Sequence, residues 1–208
     1  MADNEVISGI FALAGVAIGG GLAFGIEIWR DRHSRNRDRI LTTAICSSEL
    51  RMFAERCNDV AWDDGTYLGQ MAGRHQDGQE YLEAQVESPK LPQWSTEMKW
   101  GALDATDMQR IFQLPIEYRY MQGTLEDARQ NDFPPFDDTF ASRQASYASM
   151  GLHALDLAHR LEMSAGLISP NDERVRRQLS EIFMRYRSSN VGPERAVDND
   201  ISVKSADG

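Results

Sequence analysis

An almost unbroken apolar run near the start of the chain constrains the fold more than any other feature. It extends from Val6 to Trp29, and among its 24 residues the only ionisable side chain is Glu27, within a turn of its end. As a helix rising about 1.5 Å per residue, the run reaches about 36 Å, enough to cross a hydrocarbon core of about 30 Å. The sequence therefore predicts a transmembrane helix over residues 6–29.

The residues flanking this run predict its orientation. Asp3 and Glu5 precede it, and no Lys or Arg occurs before residue 30. A tryptophan and five arginines form the predicted membrane interface: Trp29, Arg30, Arg32, Arg35, Arg37 and Arg39. Because positive residues stay on the cytoplasmic side, we expect a single-pass bacterial inner-membrane protein with residues 1–5 outside and a cytoplasmic C-terminal domain. A cleaved signal peptide would need a basic start and a shorter apolar core, so it is disfavoured.

Glycines in the apolar run raise the question of helix association. Two GxxxG spacings occur, Gly15 to Gly19 and Gly21 to Gly25. Small residues four apart let two helix backbones approach closely in lipid. The functional interpretation is a homo-oligomer or a complex with another membrane protein. The alternative is that these glycines are ordinary filler of a membrane helix.

The distribution of charge limits the class of partner. Residues 30–39 carry five Arg and two Asp, whereas the residues that follow carry 17 bases and 27 acids, a net charge of −10. Phosphate binding needs clustered Lys and Arg, so nucleic acid is excluded as an expected partner. A basic juxtamembrane segment is attracted to anionic lipid, while an acidic domain is held away from it. The bilayer is therefore the first expected partner.

Apolar periodicity after the anchor predicts an all-α fold, in which the membrane helix continues without a break into an antiparallel helical bundle. The expected domain occupies residues 40–188, and the polar residues 189–208 are expected to form a disordered tail. Asp63, Asp64 and Gly65 should end the first helix, and no β-hairpin pattern is evident. The predicted helices are residues 35–62, 102–113, 115–131, 137–165 and 169–188.

Several local patterns sharpen these boundaries. Pro115 suits the first turn of a new helix, and Gly166 suits a C-terminal cap. Ser169 followed by Pro170 is typical of a helix start. Residues 79–87 are compatible with a short helix. Trp94 and Trp100 are expected to pack a loop against the bundle, although the same aromatic surface suits a binding groove.

Few residues suggest chemistry. Cys46 and Cys57 lie about 16 Å apart along one predicted helix and are expected to be free thiols. Asp59, Asp63 and Asp64 cluster near a predicted helix C-terminus, an arrangement that can mark a cation site. A possible metal site combines His75, Asp77, Asp63 and Asp64 with His153 or His159; these two histidines and Asp156 are three residues apart on the predicted helix 137–165. No recognised catalytic or metal-binding spacing supports this site, so neither a catalytic residue nor a cofactor is predicted.

The expected function is therefore a membrane-anchored, non-enzymatic protein whose helical domain acts as a scaffold, adaptor or regulator. A membrane-tethered metal-dependent enzyme is the alternative. A phage or mobile-element membrane factor is a further alternative, which no residue pattern supports or excludes.

Overall fold

The structure is a computed structural model that describes the backbone of residues 2–190 and the side chains of residues 26–188. Within these bounds it is mostly helical, which confirms the expected all-α class. The helices are α1 (Ala2–Ala61), α2 (Ala105–Asn131), α3 (Asp137–Ala165) and α4 (Glu173–Asn190). The strands are β1 (Thr66–Tyr67), β2 (Gln70–Met71), β3 (Gly73–Arg74) and β4 (Glu80–Tyr81), and a 3-10 helix covers Trp100–Ala102.

Helix α1 is continuous from the predicted anchor into the bundle, as the absence of Pro and Gly from residues 26–64 indicates. Side chains 26–37 are exposed on every side of the helix, whereas Thr42 and Thr43 are buried, so α1 enters the bundle near residue 42. Among the helices formed by residues 26–188, none has a stretch long and apolar enough to cross a bilayer. The side chains of residues 6–25, which make up most of the predicted span, lie outside the described residues.

Helix α3 is the centre of the bundle and runs antiparallel to the bundle part of α1. Near the end of α1, Asp63 pairs with Arg143 of α3, and nearer its middle Arg51 pairs with Glu162. The small residue Gly151 lets the two helices approach, because a Cβ at this position would lie 3.1 Å from Cys57 Cβ. Buried residues of both helices supply most of the core, with Phe53 and Tyr147 among the largest.

Helices α2 and α4 also run antiparallel to α3. For α2, early residues meet late residues of α3 and late residues meet early ones; the pairs are Asp107 with Ser164, and Gln122 with Tyr147. For α4 the pairs are Arg176 with Asp156, and Tyr186 with Ser142. The expected antiparallel packing of the helical domain is thus present around α3.

The predicted break at Pro115 is wrong, because Pro115 lies inside the continuous helix α2. The proline ring occupies an exposed position, while Ile111 and Leu114 just before it are fully buried. After it, Tyr118 packs edge-on against Phe53, 6.0 Å between ring centroids. Packing on both sides of the proline holds the helix together across the missing backbone hydrogen bond.

The predicted start of α4 at Ser169 is also wrong, because the helix begins at Glu173. The Ser169 hydroxyl donates to Glu162, 2.5 Å away, so it is not available as a cap. Asn171 takes that role, since its side-chain oxygen accepts the backbone N–H of Glu173 at 3.0 Å. The predicted end of α3 is confirmed, because Gly166 has a left-handed φ of 71° and its N–H returns to the last turn of the helix.

Two short hairpins occupy the segment in which no strand was expected. Strand β1 pairs with β2 and β3 with β4, both antiparallel. Leu68 and Gly69 join β1 to β2 with positive φ angles of 51° and 76°, as a type I′ turn requires. The possible helix at residues 79–87 is absent, since β4 and irregular chain occupy this stretch. These strands have two residues each, too few to show an alternating apolar pattern.

Candidate interaction groove

A groove lies at the end of α1 that is far from the predicted anchor. It has a volume of about 830 Å³ and runs between the last turns of α1, the first turns of α4 and residues 85–86. We call it the end groove. Its lining residues are Glu55, Asn58, Asp59, Trp62, Asp63, Asp64, Gln85, Val86, Arg174, Val175 and Gln178.

Three carboxylates make the α1 side of the end groove acidic. Glu55, Asp59 and Asp64 are exposed, and in the part of the chain with described side chains none of them forms an ion pair. The backbone N–H and the hydroxyl of Thr66 donate to Asp64, which lowers the pKa of this carboxyl. The negative end of the α1 dipole lies at the same place and adds to the acidic potential.

An exposed tryptophan lies among these carboxylates. Trp62 directly follows α1 and leaves 43% of its surface exposed, although large aromatic side chains generally bury most of theirs. Asn58, one turn earlier, donates to Gln178 of α4 at 3.4 Å. Its side-chain oxygen is buried and has no hydrogen-bond partner among the described residues. The groove therefore combines negative charge with an exposed aromatic side chain.

Asp63 is adjacent to Asp64 in sequence and also lines the end groove, but its carboxylate is engaged inside the fold. Its side chain is 1% exposed. It accepts the backbone N–H groups of Gly65, Gln85 and Val86 and an Arg143 N–H at 2.9 Å. Asp63 thus attaches the hairpin segment, residues 65–86, to the bundle. In the predicted cluster of three acids, Asp63 is therefore structural, whereas Asp59 and Asp64 are exposed to solvent.

The structure does not bring the candidate metal ligands together. The His75 ring lies tilted against Tyr81 with ring centroids 4.6 Å apart, and the His75 backbone N–H donates to the Gln79 carbonyl within the second hairpin. Asp77 accepts the Gln79 N–H in the same turn. Over the described residues, no three His, Cys, Asp or Glu side chains are placed to hold one metal ion.

The three spaced residues of α3 take separate partners. His153 Nδ1 lies 2.8 Å from Glu117 of α2, in a second groove of about 340 Å³ between α2, α3 and α4. Asp156 pairs with Arg176 of α4 at 2.6 Å. His159 Nδ1 lies 2.8 Å from the Ser169 hydroxyl. The contacts of His153 and Asp156 join α3 to α2 and α4, and the contact of His159 joins α3 to the loop that follows it.

The predicted membrane-interface residues project from the free part of α1. Trp29 is largely exposed and stacks on His33, with ring centroids 5.6 Å apart. Arg35 pairs with Asp31 at 2.8 Å, and Arg30, Arg32 and Arg37 are exposed. Arg39 is half-buried where α1 meets the bundle. The glycines predicted to mediate association, Gly15, Gly19, Gly21 and Gly25, lie in the part of α1 of which only the backbone is described.

Both cysteines are free and buried in the core. Burial raises the pKa of the Cys46 thiol from 9.0 to about 12 and also raises that of Cys57. The thiols are therefore protonated at neutral pH and are poor nucleophiles.

Sequence reasoning missed Glu55 and Trp62 as groove residues. The spacing of Glu55, Asp59 and Trp62, four and then three residues apart, places them on one face of a helix. An aromatic residue beside acids on one helix face was the sequence pattern that could have indicated the groove. No family model matches the chain, and neither a curated protein nor a solved structure is significantly similar to it.

Proposed function

We propose that the chain is a single-pass inner-membrane protein whose helical cytoplasmic domain acts as a scaffold, adaptor or regulator for other proteins. Residues 6–29 would form the span, residues 30–39 the basic segment at the membrane surface, and residues 40–188 the domain that meets the partners. The observation that carries the proposal is the continuity of α1 from Ala2 to Ala61. The same helix that contains the apolar run supplies Leu50 and Phe53 to the core.

This continuity suits an anchored scaffold because an unbroken helix would set the distance between membrane and domain. About 13 residues separate Trp29 from Thr42, which corresponds to about 20 Å of helix. The exposed arginines of this interval favour the cytoplasmic side. The acidic domain would be repelled by anionic headgroups and so kept at the far end of the helix.

Membrane fractionation tests the anchor. The native chain is expected to stay with membranes after alkaline carbonate extraction, and a reporter fused behind Gly208 should be active only in the cytoplasm. Replacing Ile10 and Ile18 by Arg should release most of the protein, since Arg at the centre of a span costs about 2.5–3.5 kcal/mol. Leu41→Arg, at an exposed position outside the run, is the control and should remain in the membrane. A native chain that is fully extracted, or a reporter active only outside, would refute the proposal.

Self-association through the glycine spacings is a separate part of the proposal. A membrane reporter assay should show association that Gly15→Ile combined with Gly19→Ile removes, because the larger side chains separate the backbones. The pair Gly21→Ile and Gly25→Ile tests the other spacing. If both double variants associate as strongly as the native span, the glycines are filler.

A further inference from the structure

We propose that the end groove binds a basic segment of a partner protein, with a Lys or Arg side chain over the Trp62 indole and beside Glu55, Asp59 and Asp64. This inference deepens the proposed function and rests on it, because it gives the scaffold a class of partner. It concerns only described residues and does not depend on which protein supplies the segment.

Charge complementarity selects the occupant. The three carboxylates on the α1 side have no ion-pair partner within residues 26–188, and they lie beside the negative end of the α1 dipole. Arg174 lines the facing side of the groove and disfavours a cation there. Basic side chains are thus directed to the α1 side. The net charge of −10 would also steer a basic segment toward the domain.

Trp62 provides a contact that a simple acidic surface lacks. A Lys or Arg cation over an indole face is attracted by the ring quadrupole, and flanking carboxylates reinforce this attraction. Trp62 is 43% exposed, so part of its indole is accessible to such a cation.

The position of the groove excludes lipid as its occupant. Trp62 follows Trp29 by 33 residues of almost entirely helical chain, which is about 50 Å along the axis. This distance exceeds the screening length of about 8 Å at physiological salt several times over. Anionic headgroups would also be repelled by the carboxylates. A protein segment on the aqueous side is therefore the occupant that fits.

Peptide binding to the full-length chain in detergent tests the inference. The probe is a fluorescein-labelled peptide of alternating Arg and Ala, titrated at about 0.15 M salt. The neutralised variant carries Glu55→Gln, Asp59→Asn and Asp64→Asn, which keep the oxygen acceptor that Thr66 uses. The control carries Glu97→Gln, Glu126→Gln and Asp127→Asn, three exposed positions away from the groove that change the net charge equally.

The expected result separates a site from general charge attraction. The neutralised variant should bind the peptide at least about tenfold more weakly, the control within about twofold of the native chain, and Trp62→Leu about threefold more weakly. Equal losses in both triple variants, or no peptide binding by the native chain, would overturn the inference. A tenfold gain on removing residues 191–208 would also overturn it, because the chain's own tail would then be the occupant. Fractionation is independent of this titration, so failure of the anchor is distinguished from failure of the groove.

Discussion

The Asp63 carboxylate, just past the end of α1, accepts an Arg143 N–H from α3 at 2.9 Å while both side chains are shielded from water. Arg143 also donates to the Val86 carbonyl at 2.6 Å, and Val86 in turn donates its N–H to Asp63. Two helices and the hairpin segment are thus closed into one ring of hydrogen bonds. The end groove is built on this ring, because its lining includes both Asp63 and Val86.

Removing the arginine should therefore destabilise the domain strongly. Arg143→Leu leaves the buried Asp63 carboxylate without its countercharge, and breaking a buried pair in this way costs about 3–5 kcal/mol. The free energy of unfolding from urea titrations should fall by about that amount. The control is Arg185→Leu, which removes an exposed pair with Glu181 and should cost about 0.3–0.5 kcal/mol. Similar small losses in both variants would contradict the proposed role of the ring.

The hydrogen bonds of Asp63 also explain why the structure of residues 79–87 could not be predicted from the sequence. Gln85 and Val86 give their N–H groups to a carboxylate more than twenty residues away in sequence. No local sequence pattern predicts a hydrogen bond between residues so far apart in the chain. Ser169 illustrates the same limit, since its hydroxyl serves a tertiary partner and the helix start moves to Glu173.

The sequence was sufficient where local physics decides the outcome. Helix α3 begins and ends at the predicted residues, 137 and 165, because the apolar stripe is long and Gly166 ends it. The division of the acidic cluster was beyond sequence reasoning, since Asp63 and Asp64 are neighbours with opposite surroundings. Pro115 shows that tertiary packing overrides a local helix breaker when side chains before and after it contact the bundle.

Close contact between α1 and α3 at Gly151 gives a second prediction. A Cβ at this position would lie 2.9 Å from Leu179 Cδ1 and 3.1 Å from Cys57 Cβ, so a larger side chain overpacks the core. Gly151→Val should lower the free energy of unfolding by about 1–3 kcal/mol. Gly123 in α2 has open space around it, and Gly123→Val should change stability by less than about 0.5 kcal/mol. Thermal unfolding of the two variants measures the difference, and equal melting temperatures would contradict the packing argument.

The buried thiols should not react with thiol reagents in the folded chain. Because Cys46 and Cys57 are fully buried and their pKa values are raised, a maleimide reagent at neutral pH should label neither until urea unfolds the domain. Mass spectrometry then counts the labels. Rapid labelling in buffer would show that the helices of the core open readily.

The same thiols predict a loss of stability at high pH. The folded state keeps the Cys46 proton up to about pH 12, whereas the unfolded state releases it near 9.0. Between these values the folded state binds more protons, so the free energy of unfolding falls as the pH rises above about 9. A variant with Cys46→Ala and Cys57→Ala should show a shallower decline over that interval. An unchanged slope would assign the loss to other groups.

Helix α1 is unbroken between the predicted membrane-interface residues and the bundle. This continuity predicts a fixed distance between them. Spin labels on Ile28→Cys and Glu55→Cys, in a background with Cys46→Ala and Cys57→Ala, span 27 helical residues, so their separation should centre near about 40 Å. Asn36 is exposed and lies outside the bundle, so Asn36→Pro should kink the helix without altering the melting temperature of the domain. The distance distribution should then become shorter and broader, while Asn36→Ala should leave it unchanged. A broad distribution in the chain with native Asn36 would mean that α1 is hinged between the basic residues and the bundle, and it could not then hold the domain at a set distance.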